Sequence, residues 1–214
     1  MALDFDSHTQ DFMSTEERLI VGISGASGVI YGVRLLEALR ETDIETHLVM
    51  SPAAEVTLAH ETKLKVSDVR KLADVVHRST DLAAAISSGS FRTRGMIVAP
   101  CSIRTVSEIA TGVTSSLLTR AADVVLKERR RLVLMVRESP LHTGHLRTLT
   151  QASEIGAIIA PPLPAFYAKP SSIDDMIAHT IGRVLDLFDI DAGLVRRWRE
   201  THEKEHVRKK APRG

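Results

Sequence analysis

The chain has 214 residues, of which 43% are hydrophobic, 26% charged and only 4% aromatic; that length can bury one sizeable core. A formal net charge of +1 gives no electrostatic pull toward nucleic acid or a membrane surface, and so few aromatics argue against a base-stacking surface. The lone cysteine, Cys101, excludes an internal disulfide framework and fits a reducing, cytoplasmic setting, while no apolar run approaches the roughly 18 residues of a membrane span.

The opening MALDFDSHTQDFMSTEE is acidic and polar and lacks the basic-then-apolar order of a signal peptide; residues 1–17 read as a mobile extension. Leu19–Ile23 is an apolar, β-branched run suited to a buried strand. Ser24-Gly25-Ala26-Ser27-Gly28 follows, and then Val29, Val33, Leu35, Leu36 and Leu39 recur at helical spacing. Ile44–Met50 reads as a second strand, and Ser51-Pro52 opens a helix with proline at its first position. Residues 66–90 are mixed and polar, and only a short helix around Leu82–Ile86 is expected there. Met96–Ala99 is a strand ended by Pro100, and helices over 102–111 and 115–127 part near Gly112. Leu132–Val136 is another buried strand, 145–155 a helix stopped by Gly156, and 157–160 a last strand before Pro161-Pro162-Leu163-Pro164. A long helix spans 172–188, with Ser172 and Asp175 at capping-box spacing. Its apolar stripe is Ile173, Met176, Ile177, Ile181, Val184, Leu185 and Phe188. Strands alternating with helices predict one doubly wound, Rossmann- or flavodoxin-like α/β domain over 18–200 with a mainly parallel sheet, and a charged tail over 201–214.

In such a sheet the carboxyl ends of the strands share one edge, and ligands bind there. At the first turn, amides at a helix N-terminus and the Ser27 hydroxyl suit a phosphate, although glycine can serve turn geometry alone. Gly22, Gly25 and Gly28 fall three apart, unlike G-x-G-x-x-G, which favours a mononucleotide such as FMN over NAD. In the turn Pro100-Cys101-Ser102-Ile103-Arg104-Thr105, Ser102 and Thr105 can face a flavin, or Ser102 can simply cap the helix. Cys101 has no evident partner base and reads as a small buried apolar residue.

Arg137-Glu138 follows a buried strand, where a cation can hold a phosphate and a carboxylate can move protons; a surface salt bridge is the alternative. Arg129–Arg131, ahead of that strand, read as solvated. Tyr167 can reach a phosphate or cover the sheet edge, and Arg183, between Ile181 and Val184, is expected to point inward. No metal site is expected: HExxH is absent, His142 and His145 lack a third ligand, and Asp174-Asp175 lacks the third Asp of a magnesium–pyrophosphate motif.

Taken together, Ser24–Gly28 with Tyr31-Gly32, Pro100–Thr105, Arg120–Arg130, Arg137–His142 and Pro164–Tyr167 resemble, in this order, the UbiX-like flavin prenyltransferases over roughly residues 18–200. The resemblance implies a metal-independent enzyme that binds reduced FMN and dimethylallyl monophosphate. It attaches the prenyl carbon to flavin N5 and closes a ring onto C6, making the cofactor of a separate UbiD-like decarboxylase. It further implies FMN contacts from Gly25, Ala26, Ser27 and Ser51 and from Ser102, Thr105 and Arg120. The prenyl phosphate falls to Lys127, Arg137, Glu138, Tyr167 and Arg183, with Arg137 and Tyr167 contributed across a subunit boundary. Ser27, Glu61 and Glu138 are the implied catalytic residues, with Glu138 passing a proton between phosphate and flavin or orienting the phosphate clamp. Ser88-Gly89-Ser90 is the implied prenyl-proximal loop, Trp198 matches an aromatic near the C-terminus, and the implied assembly is a dodecamer built from trimers.

Two features depart from the pattern. Ser115-Ser116 stands where the family often has Asn, and the acidic extension has no counterpart. The alternative readings are an FMN-dependent cysteine decarboxylase of related fold, which needs a catalytic His, and a non-catalytic FMN-binding subunit of an aromatic-acid decarboxylase.

Overall fold

Apolar runs separated by helices give a six-stranded, all-parallel sheet in this computed structural model, which describes residues 17–195 and 197. The strands are β1 (Arg18–Ile23), β2 (Glu45–Met50), β3 (Val75–His77), β4 (Gly95–Cys101), β5 (Arg131–Val136) and β6 (Ala157–Ile159), in the order β3-β2-β1-β4-β5-β6. The extension over residues 1–16, Trp198 and the tail over 201–214 lie outside the described residues.

The chain divides between Pro161 and Pro162 into two compact units. The first carries the sheet with α1 (Ile30–Leu39), α2 (Pro52–Glu61), α3 (Val66–Arg70), α4 (Ile103–Thr111), α5 (Leu117–Lys127) and α6 (Thr143–Glu154). The second carries a 3-10 turn over Phe166–Ala168 and the helix α7 (Ile173–Asp186).

Every residue of β4 is buried, and so are the last five of β1 and of β5. That is the pattern of strands covered on both faces, and it explains their nearly unbroken apolar runs. On one face, Ile20, Met96, Val98, Leu132 and Leu134 share a core with Leu117, Leu118, Ala121 and Val125 of α5 and Val106 and Ile109 of α4. Each large aliphatic side chain buried there contributes about 1.5–3 kcal/mol. Ser51, Ser102 and Ser116 cap α2, α4 and α5, each hydroxyl accepting the amide three residues on, so all three helices start at the sheet's carboxyl edge.

Residues 66–90 hold more structure than expected. They form α3 and the edge strand β3, while only a 3-10 turn over Ala85–Ser87 stands where a helix over Leu82–Ile86 was anticipated. Strand β3 has three residues and pairs with β2 alone, so neither an apolar run nor an alternating pattern announces it. Helix α6 starts earlier than expected because the Nδ1 of His142 accepts the amides of Gly144 and His145 at 3.0 and 3.3 Å. An imidazole is an unusual cap, outside the Ser/Thr/Asp/Asn signature. In α7 the stripe is buried from Ile177 to Phe188, whereas Ile173 is 75% exposed. Ser172 accepts the amide of Asp175, but the carboxylate of Asp175 reaches the amide of Ser171 rather than closing the box. Arg130 is not solvated: its guanidinium donates to the carbonyls of Gly89 and Phe91 at 2.8 and 2.7 Å.

A partly buried polar network ties β2 to β3. His47 donates from Nε2 to the Glu45 carboxylate at 2.7 Å, and its Nδ1 lies 2.9 Å from Nε2 of His77. Phe91 packs edge-on against His47 and lies beneath the Arg18 guanidinium. Burial first, and then the neighbouring His47, push the pKa of His77 down against an opposing pull from Asp81. A base whose folded-state pKa is depressed contributes stability above its unfolded pKa and loses it as pH falls through the folded value. We therefore predict that the unfolding free energy in urea declines on acidification from about pH 8 to about pH 5, crossing the ordinary histidine range near about 6.5. His77→Gln should flatten that decline.

Candidate active site

The connections β1–β2–β3 run to one side of the sheet and β4–β5–β6 to the other. The turns after β1 and β4 therefore diverge, and a crevice opens between them at the carboxyl edge. It is a cleft of about 920 Å³, within the roughly 300–1,000 Å³ typical of small-molecule sites. Every strand from β1 to β5 sends its following turn to it: Gly25–Ser27, Ser51–Ala53, Ser79-Thr80, Ser102–Thr105 and Arg137-Glu138. The opening of α5, Ser115 to Thr119, adds further hydroxyls.

The first turn differs from expectation. Gly28 has φ +95°, in the region that glycine enters freely, and its amide and that of Val29 share one acceptor. The acceptor is the carboxylate of Glu61 at the end of α2, with N···O distances of 2.9–3.1 Å. The amides read as a phosphate seat thus already hold an anion, and Gly25, Ala26 and Ser27 are what this turn gives the cleft. Partial burial opposes the charge of Glu61. The Ser27 hydroxyl, the two amides and the field of Arg137 outweigh it and hold this carboxyl below its ordinary range.

At the second turn, Ser102 caps α4 and also lines the cleft. Its Oγ accepts the amide of Thr105 at 3.2 Å, lies 3.0 Å from the Thr105 hydroxyl, and faces the cleft. Cys101 is fully buried, and burial pushes its thiol pKa far upward, which removes it as a nucleophile. At the third turn, Arg137 is exposed and Glu138 half-buried. The amide of Arg137 donates to the Cys101 carbonyl at 3.0 Å, which fixes this turn to the second. Arg137 lines the cleft of its own chain.

Other predicted residues are not gathered here. Arg120, half-buried on α5, pairs with Asp123 at 2.7 Å and does not line the cleft. Lys127 is the last residue of α5 and pairs with Glu128. Since α5 begins at the cleft and its 11 residues rise about 1.5 Å each, Lys127 lies roughly 16 Å away along that helix. The Ser88-Gly89-Ser90 loop is at that far end as well, with the Lys127–Glu128 pair over the Cα of Gly89.

Tyr167 and Arg183 belong to the second unit. The ring of Tyr167 stands edge-on to His179, its hydroxyl 3.5 Å from Nε2. Arg183 does not point inward: its side chain is 53% exposed and pairs with Asp186 at 2.6 Å. At 3.6 residues per turn, position 183 falls nearly opposite the stripe of Ile177, Ile181, Val184 and Leu185.

Ser79, Thr80 and Glu108 also line the cleft and were missed. The first two follow β3, which carries no sequence signature of its own, and Glu108 reads as an ordinary polar helix residue. Because the Glu61 carboxylate caps α1, Glu61→Ala should lower the unfolding free energy by about 1 kcal/mol in urea titrations without ligand.

Comparison with known proteins follows the same lines. Residues 7–186 match the family described as Flavoprotein. The chain is 64% identical over 185 residues to the flavin prenyltransferase UbiX of Escherichia coli (strain K12), a match spanning 85% of this chain and 98% of that protein. Among solved structures, it is similar to AnUbiX (PadA1) in complex with FMN and dimethylallyl pyrophosphate: TM-score 0.84, 52% identity, 86% of this chain and 97% of that one. A dodecameric FMN-dependent UbiX-like decarboxylase from Escherichia coli O157:H7 matches with TM-score 0.83 and 52% identity, over 85% of this chain and 98% of the other.

Proposed function

The chain belongs to the UbiX flavin prenyltransferase family, and on that premise we propose how its cleft carries out the transfer of a dimethylallyl group to N5 and C6 of reduced FMN. The observation that carries the assignment is the convergence of Ser27, Ser102, Thr105, Arg137 and Glu138 on one cleft of suitable size. FMN seats between the turns after β1 and β4, where the hydroxyls of Ser27, Ser51, Ser102 and Thr105 meet its polar edges and ribityl chain. The prenyl phosphate lies toward Arg137 and Glu138. As the C–O bond of the donor breaks, negative charge grows on the leaving phosphate, and preorganised cations act most strongly at that moment. Several cations can neutralise such a phosphate without a metal ion. Glu138, half-buried beside Arg137, moves the proton between phosphate and flavin or orients the clamp.

One chain does not complete that clamp. Lys127 is a helix length from its own cleft, so we assign Lys127 and its neighbouring Ser88–Ser90 loop to the cleft of an adjacent subunit. Exposed Leu163, Phe166 and Ile173, each at least 70% accessible, support a homo-oligomer, as does the dodecameric neighbour. Tyr167 and Arg183 are further proposed ligands of the donor phosphate, and Arg120 of FMN. The product goes to a UbiD-like decarboxylase. Among the described residues no helix is long and apolar enough to cross a membrane, and the proposed setting is the cytoplasm. The cysteine-decarboxylase alternative requires a histidine at the site; among the described residues none lines the cleft.

Anaerobic incubation with reduced FMN and dimethylallyl monophosphate, without metal, should yield extracted flavin heavier by one five-carbon unit on mass spectrometry. Unmodified flavin from FMN-loaded protein, with the pyrophosphate donor as well, would refute the assignment. Glu138→Gln should lower kcat by about 10²–10⁴. Lys127→Ala and Glu138→Gln, each nearly inactive alone, should recover activity when dissociated and reassembled together, because some mixed interfaces pair two intact halves. Absence of recovery in verified mixed oligomers would place Lys127 outside the neighbour's site.

A further inference from the structure

Ser24 is 1% exposed and bonds in both directions across the crevice floor. Its Oγ donates to the carbonyl of Pro100 at 3.0 Å and accepts the amide of Ser102 at 2.7 Å, while its own amide donates to the same Pro100 carbonyl at 3.2 Å. These bonds join residues 76 and 78 positions apart, at the ends of β1 and β4, where the strand order reverses and the following turns diverge. We infer that Ser24 is a positioning residue for the transfer reaction: its hydroxyl latches the turn after β1 to the turn after β4 and so sets the width of the flavin crevice. The inference rests on the reading that this cleft takes FMN.

At the other junctions between neighbouring turns the ties are backbone bonds. The amide of Ser51 donates to the Ile23 carbonyl at 2.9 Å, and that of Arg137 to the Cys101 carbonyl at 3.0 Å. Between β1 and β4 the ladder itself runs only from Leu19↔Gly95 to Gly22↔Val98. Beyond it, the backbone supplies the Ser24–Pro100 bond, and the side chain of Ser24 supplies the two others. A hydroxyl is the small group able to donate and accept at once. Its loss strands the amide of Ser102, the residue whose own Oγ caps α4 and faces the cleft. Ser24 touches neither flavin nor donor in this scheme; it acts through Ser27 on one side and Ser102 and Thr105 on the other.

The test is FMN binding, followed by flavin fluorescence, for wild type, Ser24→Ala, Ser24→Thr and Val133→Ala. Val133 is fully buried in β5 and controls for general loss of stability; Tm is measured for each protein. Ser24→Ala should weaken FMN binding about tenfold, well below its Tm. Ser24→Thr, which restores the hydroxyl, should return the Kd to within about threefold of wild type. Val133→Ala should lower Tm with an unchanged Kd. A Kd for Ser24→Ala within twofold of wild type would overturn the latch, as would equal weakening in Val133→Ala or a threonine variant no better than alanine. Wild-type protein that binds no FMN would instead overturn the reading of the cleft, and the inference with it.

Discussion

The reversal of strand order between β1 and β4 is the constraint from which the site follows. Crossovers carry the chain from β1 to β2 and β3 on one side and from β4 to β5 and β6 on the other, and such parallel connections are right-handed as a rule. No helix can then roof the junction of β1 and β4 in sequence, and the carboxyl edge opens there. What keeps the opening from being a loose gap is the set of short bonds at its base. Ser24 with Pro100 and Ser102, Ser51 with Ile23, and Arg137 with Cys101 hold four turns in series. Polar groups buried at such a junction are unforgiving: satisfied, they fix one geometry, and unsatisfied, each costs about 1–3 kcal/mol.

Electrostatics divides the rest of the work. In many α/β proteins a helix N-terminus receives the ligand's phosphate. Here the amides of Gly28 and Val29, at the opening of α1, are held by Glu61, so this turn does not offer those donors to a ligand. Arg137 and Glu61 sense one another electrostatically, which links the first turn to the third without direct contact. With Lys127 at the far end of α5, the proposed clamp assembles only when a second copy brings that end to the cleft. On that proposal, geometry would couple assembly to activity.

The pairing of β2 with β3 is organised by a separate network. Glu45, His47 and His77 form a hydrogen-bonded chain beneath Phe91, and Arg130 holds the carbonyls on either side of Ser90. The loop proposed to approach a neighbour's prenyl group is thus held at Gly89 and Phe91 by polar contacts made within its own chain.

Much of this was legible in the residues. The strands β1, β4 and β5 are nearly unbroken apolar runs, since a strand covered on both faces must bury nearly every side chain. The serine caps and the glycine-rich turn likewise obey local rules, so the α/β alternation, the tight turn after β1 and the Ser102 cap could be read directly. What escaped was non-local. Strand β3 exists because the backbone of β2 offers it a partner, not because three residues favour a strand. The occupant of the α1 amides lies 33 positions away from Gly28, at Glu61, and the latch of Ser24 spans more than 70 positions. Arg183 fell outside because its neighbours along the chain are apolar while its face of the helix is not. Sequence alone determined which elements form, because burial and capping act within a few residues. Only the tertiary structure decided which polar groups answer one another, because hydrogen-bond partners are chosen by distance in space.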